Sequence, residues 1–228
     1  KNARLKLVAG DVQRVSARDE MDDERSYKKS AESAGARRFA EESFFEYHLY
    51  TLSQPTDVLE NEQKQVTLLE AKNAKVQKKL IYFGQQYWYR GRHGEVQKNQ
   101  KVGVYLDVQN TKANGLGIPL PKGTVRVYKA DKSGAKQFIG EDNIDHTPRD
   151  EKVRIKMGEA FDVVGDRKQM EWRTLGTCSS ESTWEIELRN HKDQASRVEI
   201  FEPIGGDWTM VESTHKHDKK DAHTFTFD

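Results

Sequence analysis

The sequence predicts an all-β protein built as an antiparallel β-sandwich, and three observations predict it. Short runs alternate apolar and polar residues, as where Val104, Leu106 and Val108 interleave with Tyr105, Asp107 and Gln109, or Trp184, Ile186 and Leu188 with charged neighbours. Gly, Pro, Asn and Asp punctuate the intervals between those runs. No segment carries the apolar stripe of an amphipathic helix.

Length and composition bound the organisation. A chain of 228 residues has room for two β units of about 100 residues each. We place a smaller β-rich unit at residues 1–95 and an immunoglobulin-like sandwich at residues 96–228. Apolar residues make up 35% and charged residues 33%, the polarity of thin layers with much surface. The 38 basic and 37 acidic side chains cancel to +1, with no basic stripe, which argues against a nucleic-acid partner. Cys178 is the single cysteine, so neither an internal disulfide nor a cysteine-based zinc site can form. No apolar run approaches the ~18 residues of a membrane span, so membrane insertion is not expected. The chain begins at Lys1 rather than Met and is expected to be part of a longer protein.

Each element follows from its pattern. Leu5 and Leu7 share one face of a short first strand, which Gly10 and Asp11 end. Residues 16–38 mix charges of both signs around only Met21 and Tyr27. They bury too little to offset ordering, so we expect a mobile charged loop, with a frayed helix over 31–42. Phe45, Tyr47 and Leu49 alternate with Phe44, His48 and Tyr50, a strand apolar on both faces in which His48 is a packed, hydrogen-bonded residue. Residues 63–71 and 75–83 alternate on either side of Asn73-Ala74 and are expected to form a hairpin. Tyr87-Trp88-Tyr89-Arg90-Gly91-Arg92-His93-Gly94 suits rings covering a sheet edge before a turn better than rings stacking on bases or sugars.

The most distinctive stretch runs over residues 102–129. A strand through Val108 gives way to a connection holding Asn114-Gly115, Gly117, Pro119 and Pro121, through which no strand can run. Gly115 and Gly117 suit positive φ. A phosphate-binding loop would need Lys-Ser/Thr after its glycines and a helix behind them; here Val125 and Val127 alternate as a strand instead. The connection is therefore expected to cross between sheets inside the second unit. Residues 129–136 form a hairpin turn by composition, and strands follow near 137–140, 153–157, 161–172, 184–188, 198–200, 208–211 and 224–227. Asn110-X-Lys112 and Asn190-X-Lys192 each end an alternating strand, as expected where an Asn side chain caps a turn.

Three constellations have the residue types for chemistry. His215, His217 and His223 are the metal candidates: His-X-His on a strand places two imidazoles on one face about 7 Å apart, with a third from the hairpin partner. Lys216, Lys219 and Lys220 crowd that site with positive charge. Asp145-His146-Thr147 has triad-like composition, yet nucleophile and base normally come from distant segments, and Pro148 points to a fixed turn. Glu141, Asp142, Asp145, Asp150, Glu151, Glu159, Asp162 and Asp166 supply carboxylates for a glycosidase-like pair, or oxygens for Ca²⁺ in no known loop spacing. The sequence assigns no catalytic residue and no cofactor.

Several blocks together resemble a known family. They are Phe45-Glu46-Tyr47-His48-Leu49-Tyr50-Thr51-Leu52, Asn114-Gly115-Leu116-Gly117-Ile118-Pro119-Leu120-Pro121 with Gly123-Thr124-Val125-Arg126-Val127-Tyr128, and Glu187-Leu188-Arg189-Asn190-His191-Lys192. Between the last two, Asp145-His146-Thr147-Pro148 and Gly158-Glu159-Ala160-Phe161-Asp162-Val163-Val164 fall in the expected order. The chain from Glu42 onward is similar to the bacterial domain of unknown function 4139, the C-terminal part of mucoidy-inhibitor-A-like proteins. The resemblance implies a β-rich domain with no established activity or site residues. It implies an exported, periplasmic or extracellular setting, and a parent chain that can self-associate through a coiled coil absent here. The expected function is a non-catalytic binding or assembly module of a bacterial envelope protein, contacting a protein or a surface polymer. The alternative is a metal- or carboxylate-dependent hydrolase acting on an envelope polymer, through residues near 142–150 or 215–223.

Overall fold

The computed structural model of the chain describes residues 3–10, 39–52, 55–57 and 59–227. Among these, twelve strands run in order: β1 (Lys6–Ala9), β2 (Phe39–Phe44), β3 (Tyr47–Leu52), β4 (Val76–Phe83), β5 (Glu95–Gln109), β6 (Gly123–Ala130), β7 (Lys136–Ile144), β8 (Lys152–Thr174), β9 (Ser180–Asn190), β10 (Glu199–Pro203), β11 (His217–Asp221) and β12 (Thr224–Phe227). Short 3-10 turns occupy Gln86–Arg90 and Lys112–Asn114. The fold is all-β and sandwich-like, as the alternation predicts. The expected mobile loop, about 16–38, lies outside the described residues. So does most of the expected helix over 31–42, whose last residues belong instead to β2.

The described residues gather into two compact units, each assembled from several stretches. One comprises Lys1–Lys75, Gln109–Gly123 and Ile144–Val153; the other Val76–Val108, Thr124–Asn143 and Arg154–Asp228. A boundary at 95/96 would cut a sheet, because β4 pairs antiparallel with β5 from Val76↔Val108 to Ile81↔Gly103. The expected hairpin of residues 63–71 with 75–83 is not formed for the same reason. Residues 63–71 are outside any strand, and β4 finds its partners in β5 and β10.

The first unit holds a three-stranded sheet in the order β1-β3-β2. Leu49, Tyr50 and Leu52 of β3 are buried, so the central strand is apolar on both faces as its sequence requires. Residues 109–123 belong with this unit, not with the second as expected. The hydroxyl of buried Tyr50 donates to the Pro119 carbonyl, and the Asn114 side chain engages the Lys75 backbone from both sides. Proline and left-handed glycine, Gly115 at φ 73° and Gly117 at φ 81°, keep this stretch out of any ladder and free to follow those partners.

The second unit holds a seven-stranded sheet, β11-β12-β10-β4-β5-β8-β9, and a separate two-stranded ribbon, β6-β7. The pairs β11–β12, β12–β10, β4–β5 and β8–β9 are antiparallel, whereas β10 pairs with β4 in parallel from Glu199↔Ile81 to Phe201↔Phe83. That joint departs from the purely antiparallel expectation. Segment 198–200 enters from a distant part of the chain and is not tied to β4 by a hairpin. Leu80, Tyr82, Val102, Ala160 and Val163 form the core, with Val104, Ile186, Leu188, Val198 and Ile200 packed on it half-buried. The strand expected at 208–211 is not formed; β12 pairs instead with His217–Asp221. No helix among the described residues is long and apolar enough to cross a membrane.

Candidate functional site

The densest polar construction in the second unit lies inside the seven-stranded sheet. Alternation along β8 turns Val163, Gly165, Arg167 and Gln169 to the buried side. The Arg167 guanidinium donates to the carboxylate of Glu202 on β10, and both side chains are 0% exposed. Further bonds run from Arg167 to the Phe83 carbonyl at 3.1 Å and to the Gln97 side-chain oxygen. Its guanidinium carbon lies 4.7 Å from the centre of the Tyr82 ring and 5.0 Å from that of Trp88, and its buried Nε finds no hydrogen-bond partner. The Tyr89 hydroxyl donates to the second Glu202 oxygen at 2.5 Å.

Burial dominates the proton affinities here. It raises the Glu202 carboxyl above the usual range against the opposing pull of Arg167, raises the Tyr89 hydroxyl strongly with Glu202 adding to it, and pushes Tyr82 up to about 12. Such a constellation has the composition of an acid-base site. With both charged side chains sealed from solvent it can meet no substrate, and its chemistry is structural.

The aromatic segment 87–94 serves that construction. Trp88 is buried, and Tyr89 packs on Trp184 at 5.3 Å. Gln169 then clamps the following turn, accepting from the His93 amide at 2.5 Å and donating to the Gly91 carbonyl at 3.0 Å. Rings covering a sheet, not rings awaiting a ligand, is the reading the contacts support. Sequence analysis missed Arg167, which sits in strongly charged surroundings, and Glu202, an acid between Phe201 and Pro203. The one available signal was the inward parity that Arg167 shares with Val163.

The metal candidates are not brought together. His217 opens β11, its ring 6.3 Å from those of Phe225 and Phe227. His223 lies in the turn at the other end of the β11–β12 hairpin, about 14 Å away at strand spacing. His215 precedes the strand, its Nδ1 3.0 Å from the Thr214 hydroxyl. Because β11 begins at His217, the His-X-His geometry expected of residues 215 and 217 does not exist. Among the described residues no three His, Cys, Asp or Glu side chains gather to hold a metal ion.

The other constellations are structural clasps of single units. Leu120 and Thr147 exchange backbone hydrogen bonds at 2.8 and 2.9 Å, the Thr147 hydroxyl donates to the Asp145 carbonyl, and the His146 Nδ1 accepts from the Lys122 amide. Asp145-His146-Thr147 thus pins the distinctive connection. Of the carboxylates, Glu141 pairs with Arg126 and Asp142 accepts from the Lys156 amide. Asp166 is held below the usual range by the Arg189 guanidinium and the Asn99 amide. The Asn-X-Lys echo has its expected local cause at Asn190, whose side-chain oxygen accepts from the Lys192 amide at 3.2 Å.

The β6-β7 ribbon presents exposed side chains on one face. Thr124 bonds Asn143 at 2.8 Å, Arg126 bonds Glu141 at 2.9 Å, and Tyr128 meets Phe138 edge to face at 5.6 Å, three successive cross-strand pairs on one exposed face. Tyr128 is 53% and Phe138 55% exposed. The Asp131 carboxylate locks the turn by accepting from Ser133, Ala135 and Gln137, chiefly the side chains, which hold it down to about 2. No family model, no curated protein and no solved structure matches the chain.

Proposed function

We propose that this chain is a non-catalytic binding or assembly module of a bacterial envelope protein, related to the domain of unknown function 4139 and working in the periplasm or outside the cell. The observation that carries this reading is the contrast between the ionisable groups and the ribbon. Arg167, Glu202, Asp166 and Arg189 are consumed by one another, while Tyr128 and Phe138 stand exposed as a pair on an outward face. Exposed aromatic side chains on a rigid strand pair are the usual anchors of protein recognition.

The test is photo-crosslinking in bacterial cells that export the chain, with the reactive residue on the ribbon or on another exposed strand. It runs beside an assay for soluble fragments released from envelope polymers. A defined crosslinked partner and intact polymers are expected. Release of fragments in proportion to added protein would overturn the reading in favour of a hydrolase.

A further inference from the structure

We propose that Asn114 is a latent self-modification site, sheltered in the folded chain and converted to aspartate or isoaspartate when that part of the chain opens. Asn114-Gly115 is the chain's single Asn-Gly pair, and Asp-Gly does not occur in it. Glycine has no side chain to hinder its own nitrogen, so the Gly115 amide can attack the side-chain carbonyl carbon of Asn114. A bond forms between the Gly115 nitrogen and Asn114 Cγ, the nitrogen's proton passes to solvent, and the side-chain amide leaves as ammonia. Water then opens the five-membered imide at either carbonyl. One opening gives aspartate; the other gives isoaspartate, with the main chain rerouted through the former side chain.

Both reacting groups are occupied in the fold. The Asn114 side-chain oxygen accepts from the Lys75 amide, and its nitrogen donates to the Lys75 and Gln109 carbonyls at 3.2 and 3.0 Å. The Gly115 amide donates to the Lys112 carbonyl at 3.0 Å, closing the 3-10 turn Lys112–Asn114, with Gly115 itself at φ 73°. Ring closure must break these bonds and turn the side chain away from the Lys75 backbone. It therefore runs through a locally opened state, and its rate reports how often that state forms. Lys75, Gln109, Lys112, Asn114 and Gly115 all belong to one compact unit, so the shelter is built within it. Refolding cannot undo the change. An ionised acid at position 114 has no N–H to give the Lys75 and Gln109 carbonyls, and isoaspartate adds a carbon to the backbone of the turn. Conversion thus makes a reversible opening a permanent loss.

The 228-residue chain is incubated at mildly alkaline pH, folded and in urea, and the amide-to-acid change at every asparagine is followed by peptide mapping with mass spectrometry. In urea Asn114 is expected to convert ahead of the other asparagines, and in the folded chain at least about tenfold more slowly than in urea. Asn110→Ala, which loosens the same unit, should speed the folded-state conversion, whereas Gly91→Ala should leave it at the parental rate. Protein converted in urea and returned to native buffer should unfold at lower denaturant than protein held in urea at mildly acidic pH, where conversion is slow. Asn114→Asp separates the loss due to the missing amide donors from that due to the longer backbone. Equal rates in the folded and unfolded chain, or another asparagine converting first in urea, overturns the site. A folded-state rate unmoved by Asn110→Ala overturns the route through opening, and parental stability of the converted protein overturns the permanent loss.

Discussion

Arg167 and Glu202 meet as a fully buried ion pair between β8 and β10, strands that are not neighbours in the sheet. The arginine reaches past β5 and β4, bonding Gln97 and the Phe83 carbonyl on the way. A buried pair gains little net stability, because desolvation offsets the attraction, but breaking it leaves one charge stranded. Arg167→Met or Glu202→Gln alone should cost about 3–5 kcal/mol in chemical denaturation. Arg167→Met combined with Glu202→Gln should cost clearly less than the two single changes added together. Additive losses would show that the two side chains stabilise the unit independently.

Gly84 is the backbone's answer to that pair. A Cβ built there would lie 2.2 Å from a Glu202 carboxylate oxygen, a group that cannot retreat while Arg167 and Tyr89 hold it. Gly84→Ala should therefore destabilise by about 2 kcal/mol or more, the scale of an overpacked core. Gly91→Ala, where a Cβ meets nothing within 4 Å, is the control and should leave the unfolding midpoint nearly unchanged. Equal behaviour of the two variants would refute the account.

Strand period was legible in the sequence because side-chain parity is a local property. The hairpin turn at residues 129–136, the glycines of positive φ and the packed His48, bonded to Glu41 at 2.9 Å, were all visible in short windows. Pairing was not. Nothing within residues 63–83 says that β4 prefers β5 and the remote β10 to its own neighbour. Likewise Pro119 and Asn114 look like features of the second unit until Tyr50 and Lys75 are seen beside them. The histidines misled because His-X-His specifies a metal site only if a strand spans both, and β11 starts two residues too late, at His217.

Asn110 anchors the connection that the sequence marks most clearly. It is 0% exposed, donates to the Ile118 and Pro148 carbonyls at 2.8 and 2.7 Å, and accepts from the Gly117 amide at 3.0 Å. Asn110→Ala would strand these backbone groups, at a cost of about 2–4 kcal/mol. Asn110→Asp keeps the shape but loses both donated bonds and places a charge against two carbonyls. It should be no milder than Asn110→Ala in a denaturation series, and recovery of parental stability by Asp would sink this assignment of roles.

Alkaline pH should act on the buried tyrosines. Burial raises Tyr50 and Tyr82 from 10.0 to about 12, and Tyr89 further still. A folded value above the unfolded one means that the native state favours the neutral phenol. That stabilisation is complete below pH 10, where both states are protonated, and is lost as pH climbs through about 12. For Tyr50 and Tyr82 the rise corresponds to a loss on the order of 2–3 kcal/mol each at the upper end of that window. Ultraviolet titration of the chain's eight tyrosines should thus give an early group near pH 10 and a delayed group. The delayed group should appear together with unfolding followed by circular dichroism, and each of Tyr50→Phe and Tyr82→Phe should remove one delayed phenol while moving alkaline unfolding to higher pH. A single transition of all eight near pH 10 with the fold intact would contradict the burial that raises them.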